Sequence, residues 1–434
     1  MPEWTRRLTR ELDTFAEQNA TTTLPVPIAL NQPPGPLRLG PSDDAEWAVF
    51  TAEAVLRAGD DGALGDLSRE RRTRAAIDLT WNAMAGEVAA AAERAPEIES
   101  AVLPLRARIS VRAGLGNLAT GLRPPATGHD NPHYFDDAAC VRACVLAVAH
   151  PGDPEGAAAL AEFDARYTQD GDGVHGARAM AAAVALALAG ADVGACVAAA
   201  VAELPEETEI GRNARHALRL AADADGAFAL VPPLEHQIVD HVYSYGIAAA
   251  ETVPVALALA TASHGRMVEA VPAAACLSRV ADSAPALVGA LTGALGGSTA
   301  IPESWRESCR ILSGCTLPRL TGTDLVELAG LLEAAQPPPP EDDSGMTLKE
   351  HEKRVQKQVR GASLDERITG ALVGAAVGDA LGGPVEGYSP SRSSSATAAV
   401  STASSAPGTV TPGAPPVRSP RTTRATATSP TTRS

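Results

Sequence analysis

The chain has 434 residues, of which 45% are hydrophobic and only 3% aromatic, and its formal net charge at pH 7 is −16. This charge argues against a nucleic-acid partner, and a core built mainly of Ala, Leu and Val favours closely packed helices. The N-terminus lacks the apolar stretch of a signal peptide, and the six cysteines form no Cys-x-x-Cys motif. We therefore expect a cytoplasmic protein with reduced thiols that binds neither nucleic acid nor membrane.

Helical periodicity extends over most of residues 1–336, and no useful length of chain alternates with the period of two expected of a strand. We therefore predict an all-α fold with one compact multi-helix domain over 1–336. Gly114 to Asn117 is predicted as a turn that opens a loop, and it is a weak candidate for cradling a phosphate. The predicted helices are 4–18, 44–58, 66–97, 98–110, 138–149, 154–166, 173–190, 194–203, 208–223, 236–262, 266–275 and 283–296.

The composition changes after this domain. Residues 337–362 begin with four prolines and an acidic run, which predicts a linker that ends in a basic helix, 346–360. Residues 363–390 form a glycine-spaced helical segment whose start carries the signature of a capping box, Ser363 with Glu366. Residues 391–434 contain no Leu, Ile, Phe, Met, Lys or acidic residue. We expect this tail to be disordered, and to be the product of a reading-frame shift because the motif pattern that continues through Pro390 stops at once.

Two acidic turns stand directly before helical patterns. Ser42, Asp43 and Asp44 precede the first, and Asp282 with Ser283 precedes a helix that carries glycine at every fourth position. Each turn alone is most often a solvated helix N-cap. Together, carboxylate and hydroxyl oxygens of this kind would suit a hard cation such as Mg²⁺ or Mn²⁺. We predict that the two turns meet in one cleft.

The segment around Gly378-Asp379-Ala380-Leu381-Gly382, followed by Pro384 and Glu386, resembles the opening helix of the ADP-ribosylglycohydrolase family. The turn at residues 42–45 is similar to the family's Thr-Asp-Asp-Thr motif. Residues 278–283 are similar to its Gly-Gly-Asp-x-Asp-Thr motif, with Val280 in place of one metal-binding Asp. Residues 136–142 stand where the family has a phosphate-side loop, Gly-Asn-Gly-Ala-Ala-Met-Arg.

The resemblance implies an all-α hydrolase of ADP-ribosyl linkages that uses two Mg²⁺ or Mn²⁺ ions, with ADP-ribose or an ADP-ribosylated protein as its partner. Because Val280 cannot coordinate, one or two ions are expected here, with weaker binding at the second site. Residues 363–390 would be the opening helix of a truncated second copy, so that Glu386 contributes only if this segment docks on the first domain. The residues implied are Asp44 and Glu386 for catalysis, Ser42, Asp43, Asp44, Asp282 and Ser283 for metal, and Gly116, Asn117 and Asp137 for substrate.

The residues leave two functions open. One is metal-dependent hydrolysis of ADP-ribosyl linkages on protein side chains or small conjugates. The other is a binding or regulatory module that recognises ADP-ribose without cleaving it. The loss of a metal ligand at Val280 favours the second function, and so do Asp136 and Asp137, whose carboxylates would repel a pyrophosphate unless a cation lies between them.

Overall fold

The computed structural model describes residues 40–59, 65–94, 107–242, 246–336 and 361–383. Within these ranges the chain forms α-helices and short 3-10 helices but no β-strand, which confirms the all-α prediction. The helices are α1 (Asp43–Gly59), α2 (Arg69–Arg94), α3 (Ile109–Ala119), α4 (Ala126–His129), α5 (Ala138–Leu146), α6 (Pro154–Ala165), α7 (Asp172–Leu188), α8 (Val193–Ala202), α9 (Glu209–Asp223), α10 (Ala227–Gln237), α11 (Ala249–Ala262), α12 (Met267–Ala275), α13 (Ala284–Gly296), α14 (Glu303–Cys309), α15 (Leu325–Ala334) and α16 (Leu364–Gly382).

The predicted helices 4–18 and 346–360, the linker prolines, Glu386 and the tail 391–434 lie outside the described residues. The predictions for these segments therefore stay predictions. In the part of the chain that is described, no helix combines the length and apolar character needed to cross a membrane. The six cysteines are free thiols, and five of them are buried.

The long helix predicted over 236–262 is wrong. The structure has two helices there, α10 and α11, and Pro232 and Pro233 lie inside α10 instead of ending it. Leu230 and Leu234 are fully buried, so packing offsets the backbone hydrogen bonds that two prolines remove.

Between the two helices Gly246 has a φ of +80°, and a Cβ there would lie 1.7 Å from the carbonyl oxygen of Arg279. Only glycine permits this conformation and this close approach.

The turn predicted at Gly114 to Asn117 is also wrong, because these residues belong to α3. Gly114 is used for close packing: a Cβ at this position would lie 2.5 Å from the carbonyl oxygen of Tyr167. The side-chain amide of Asn117 donates to the carbonyl oxygens of Thr127 and Asp130, at 3.0 and 2.9 Å. Gly114 and Gly116 are typical of a turn in their local sequence, but both lie in α3, and Gly114 allows this helix to pack closely against the backbone of Tyr167.

Helices α13 and α16 form the centre of the body. Their glycines face each other: a Cβ at Gly289 would lie 2.1 Å from the carbonyl oxygen of Gly374, and one at Gly293 would lie 2.0 Å from that of Gly370. The two backbones can approach this closely only because glycine leaves no side chain at these contact positions. The predicted capping box at the start of α16 is present, with reciprocal hydrogen bonds between Ser363 and Glu366.

Both ends of α16 are anchored on other helices. Near its start, Nη1 of Arg367 donates to the carbonyl oxygens of Ala187, Ala294 and Leu295, at 3.1, 2.9 and 2.7 Å, where α7 and α13 end. Near its end, the Asp379 carboxylate accepts from the first amides of α1. A guanidinium at helix C-termini and a carboxylate at a helix N-terminus both favour the helix dipoles. The segment expected to open a separate copy is therefore packed into the body formed by residues 40–336.

A buried carboxylate of α1, that of Glu46, holds the segment 315–317 against this helix. Glu46 is fully buried, and it accepts hydrogen bonds from the backbone amides of Cys315, Thr316 and Leu317, at 2.8, 2.8 and 2.7 Å.

Replacing Glu46 by Gln should destabilise the protein by about 2 kcal/mol, since charge-assisted bonds are lost in a buried site. Urea unfolding measures this. Glu53→Gln on the same helix removes a half-exposed ion pair with Arg319 and should cost less than about 1 kcal/mol. Equal losses in the two variants would contradict the assigned role of Glu46.

Candidate functional site

The two acidic turns predicted from the sequence interact electrostatically, and Asp379 of α16 lies beside the first of them; this acidic cluster is called the cleft from here on. The Asp379 carboxylate accepts from the backbone amides of Ser42 and Ala45, at 2.7 and 3.1 Å, and from the Ser42 hydroxyl. This arrangement fixes the N-terminus of α1. Burial, together with repulsion from Asp282, raises the pKa of Asp43.

A single guanidinium lies between the turns. Arg108, the residue before α3, donates to the Asp282 carboxylate and to the Ser283 hydroxyl. Its Nη2 is also 3.4 Å from Oδ1 of Asp137. Burial opposes the charged form of Arg108, but the surrounding carboxylates outweigh it and raise its pKa well above the usual value. The guanidinium therefore remains charged inside the cleft.

Carboxyl groups outnumber this cation. Burial raises the pKa of Asp137 to about 7 and that of Asp379 to about 7, and it raises the pKa of Asp44 well above its usual value. Among the described residues, several buried oxygens have no hydrogen-bond partner: Oδ2 of Asp44, Oδ2 of Asp136 and both carboxylate oxygens of Asp137. A buried, unpartnered carboxylate is costly, and it is stabilised by a proton or by a cation. The acidic residues of the cleft are Asp43, Asp44, Asp136, Asp137, Asp282 and Asp379.

The two turns differ in how well they suit a divalent cation. Asp43 and Asp44 supply carboxylate oxygens, Ser42 supplies a hydroxyl, and the free oxygen of Asp44 fits a cation ligand. Among the described residues no three His, Cys, Asp or Glu side chains are grouped closely enough to hold a metal alone. An ion here would take further ligands from water or substrate, as Mg²⁺ commonly does.

The second turn does not suit such an ion. Val280 is fully buried among apolar residues and offers no ligand, and both Asp282 and Ser283 already contact Arg108. A second cation would have to compete with a guanidinium for the same oxygens. The residues present therefore fit one divalent ion at Ser42, Asp43 and Asp44, and they do not fit a pair.

The residues predicted for substrate binding are placed differently. Asp137 reaches the cleft, but its side chain is fully buried and its ion-pair partner is Arg108, so it does not offer a free surface to a ligand. Gly116 and Asn117 lie on α3, where the Asn117 amide is occupied by backbone carbonyls. The phosphate-binding turn expected there is not formed. Arg142, at the end of the segment similar to the family's loop, is also fully buried.

Three residues of the cleft were missed as site residues. Asp379 had a signal in the Gly-Asp-Ala-Leu-Gly motif, and Asp136 had one beside Asp137. Arg108 had none, because nothing in the local sequence distinguishes it from neighbouring arginines such as Arg106 and Arg112.

A cavity of about 480 Å³ lies beside the segment that carries Asp136. An isolated antiparallel bridge pairs Asp136 with Ala248, which is one of the lining residues. Tyr134 and Phe135 contribute rings whose centroids are 5.7 Å apart, in an edge-to-face arrangement. The lining also includes carboxylates. The lining residues are Tyr134, Phe135, Gly171, Asp172, Thr208, Glu209, Asp240, Ala248, Ala250 and Glu251.

Comparison with known proteins identifies a family to which the chain is similar. A family model described as ADP-ribosylglycohydrolase matches residues 3–340 and 360–429, and so includes both the main body and the docked helix α16. The second matched range also covers most of the tail expected to be frame-shifted. A search of curated proteins gives no match. The match extends over most of the chain, which belongs to the ADP-ribosylglycohydrolase family.

Proposed function

We propose that the cleft hydrolyses an ADP-ribosyl linkage on a protein side chain or a small conjugate, with one Mg²⁺ or Mn²⁺ held by Ser42, Asp43 and Asp44. Family membership supports the coarser statement, a hydrolase of ADP-ribose linkages. The observation that carries the proposal is the convergence of two distant acidic turns on one cleft, where Oδ2 of Asp44 is buried and has no hydrogen-bond partner in the part of the chain that the structure describes.

Each residue of the cleft has a separate task. The cation, when bound, would polarise ribose hydroxyls and a water molecule. Asp44, whose pKa is raised by burial, would accept the proton of that water. Asp379 holds the N-terminal turn of α1 in place through the amides of Ser42 and Ala45. Glu386, seven residues after Asp379, remains proposed as a second catalytic carboxylate.

The neighbouring cavity would hold the adenosine half of the ligand. Tyr134 and Phe135 offer aromatic faces for stacking in a chain that is only 3% aromatic. The acidic lining, which includes Asp172 and Glu251, would accept hydrogen bonds from an amino group and would disfavour a phosphate at that point. We therefore propose that the phosphates lie toward the cation and the base lies toward the aromatic pair.

A second function has support of its own. Val280 removes a metal ligand, and Arg108 neutralises the turn that would otherwise need one. A cleft of this kind could bind ADP-ribose without cleaving it. The protein would then be a binding or regulatory module.

Turnover of an ADP-ribosyl-arginine substrate in the presence of Mg²⁺ or Mn²⁺ tests the proposal. We expect ADP-ribose release by the full chain, and a fall of about 100-fold or more in Asp44→Asn, because a proton acceptor is removed. Asp153→Asn is the control: Asp153 caps α6 through the amide of Gly156, and Asn is an equally good cap. Calorimetry with ADP-ribose separates the alternatives. Binding without turnover would favour the binding module, and neither binding nor turnover would overturn both functions.

A further inference from the structure

We infer that the Arg108 guanidinium is a built-in cation that takes the place of a divalent ion at the Asp282–Ser283 turn. The cleft would then hold at most one metal ion. This inference deepens the proposed function and rests on it for the identity of the ligand, but its test needs no substrate.

The contacts of Arg108 are those of a cation bound by oxygen ligands. It donates to Asp282 and Ser283, the two oxygen-bearing residues of the turn, and it forms an ion pair with Asp137. Only 11% of its side chain is exposed. A guanidinium has five donors in a rigid plane and does not lose its charge in proteins. It can therefore bind several carboxylates at once, and it does so without losing its charge.

The charges around Arg108 explain why a cation is needed at that place. Asp137 is fully buried, and the guanidinium of Arg108, 3.4 Å from its Oδ1, is the strongest interaction that favours its ionised form. Asp44 and Asp136 add further negative charge around the same group. An uncharged side chain at position 108 would leave several carboxylates buried without compensation, which is strongly unfavourable.

The replacement also accounts for Val280. Val280 is fully buried and supplies no oxygen, so a metal ion at this turn would have to take Asp137 as a further ligand, and Asp137 is paired with Arg108. With Arg108 in place, an apolar side chain at position 280 is tolerated, because the guanidinium already donates hydrogen bonds to Asp282 and Ser283. The two sequence features are separated by 172 positions but have one physical explanation.

Metal stoichiometry tests the inference. The full chain and its variants would be titrated with Mn²⁺ alone, with free Mn²⁺ followed by electron paramagnetic resonance, and melting temperatures would be measured in EDTA and in Mn²⁺. We expect the wild type to bind no more than one ion. Arg108→Ala and Arg108→Gln should bind one ion more, with an apparent affinity for that ion at least about tenfold above any found in the wild type. Both variants should melt lower in EDTA and regain stability in Mn²⁺.

Two controls separate charge from general disturbance. Arg108→Lys keeps a cation and should bind no additional ion. Arg112→Ala removes an exposed arginine one turn further along α3, whose guanidinium contacts only the carbonyl of Ala107 among the hydrogen bonds found here, and should behave like the wild type. If Arg108→Ala fails to fold, the less disruptive Arg108→Gln and the wild-type stoichiometry decide the question.

Two results would overturn the inference: two Mn²⁺ ions bound to the wild type, or no additional ion in either neutral variant. The proposed function fails separately. If the stoichiometries are as expected but no ADP-ribosyl substrate is bound or cleaved, the role of Arg108 stands and the function does not.

Discussion

Replacing Gly374 by valine is expected to destabilise the protein by about 3 kcal/mol, in the upper part of the range for an overpacked core. A Cβ at this position would lie 2.3 Å from the carbonyl oxygen of Gly289, so α13 and α16 would have to separate along their whole contact. In an isolated helix the same replacement is stabilising, by about half a kcal/mol. The sign of the change in the free energy of unfolding, measured in urea, therefore reports the packing of the two helices directly.

Gly383→Ala provides a matched control at the end of the same helix. No atom of the described residues, apart from its immediate neighbours, lies within 4 Å of a Cβ there, and its φ of −51° suits any residue. We expect a change of less than about 0.5 kcal/mol in this variant. If Gly374→Val were as stable as Gly383→Ala, α16 would not be docked on α13, and Asp379 would not belong to the cleft.

Replacing Arg142 by methionine is expected to cost about 3–5 kcal/mol, the usual effect of breaking a buried ion pair by removing one partner. Arg142 is fully buried, and its Nε lies 2.8 Å from Oδ2 of Asp164. The guanidinium also donates to Ala138 and Thr168 and lies 5.0 Å from the ring centroid of Trp81. Methionine fills much of the volume but leaves the Asp164 carboxylate with only the Trp81 indole as its remaining hydrogen-bond partner among those found here.

Arg166→Met is the corresponding control at the surface. Arg166 pairs with Glu162 and Asp170 while about a third of its side chain is exposed, so its loss should cost at most about 1 kcal/mol. Urea unfolding with an unchanged dependence on denaturant would show that both variants alter stability alone. A loss for Arg142→Met no larger than that of the control would contradict a structural role, and would return this residue to consideration as a phosphate ligand.

Local features of the chain were predictable because they depend on residues close in sequence. The helix limits follow from periodicity and caps: the predicted 154–166 is observed as Pro154–Ala165, and the Ser363–Glu366 capping box forms as expected. The acidic turns were also visible, because Asp and Ser before an apolar run favour a helix N-cap. Family membership could be inferred from the same short motifs.

The tertiary structure decided everything that depends on contacts between distant residues. Ser42 and Asp379 are 337 positions apart, and no local pattern indicates that they share hydrogen bonds. The same is true of Arg108 and Asp282, which are separated by 174 positions. Gly114 was read as a turn because its sequence neighbours favour one, whereas the decisive contact is the backbone of Tyr167 packed against it. Propensity acts over a few residues, but burial and charge compensation act across the folded body, so most helices and the acidic turns could be predicted from the sequence, whereas the contacts of Arg108 and Asp379 could not.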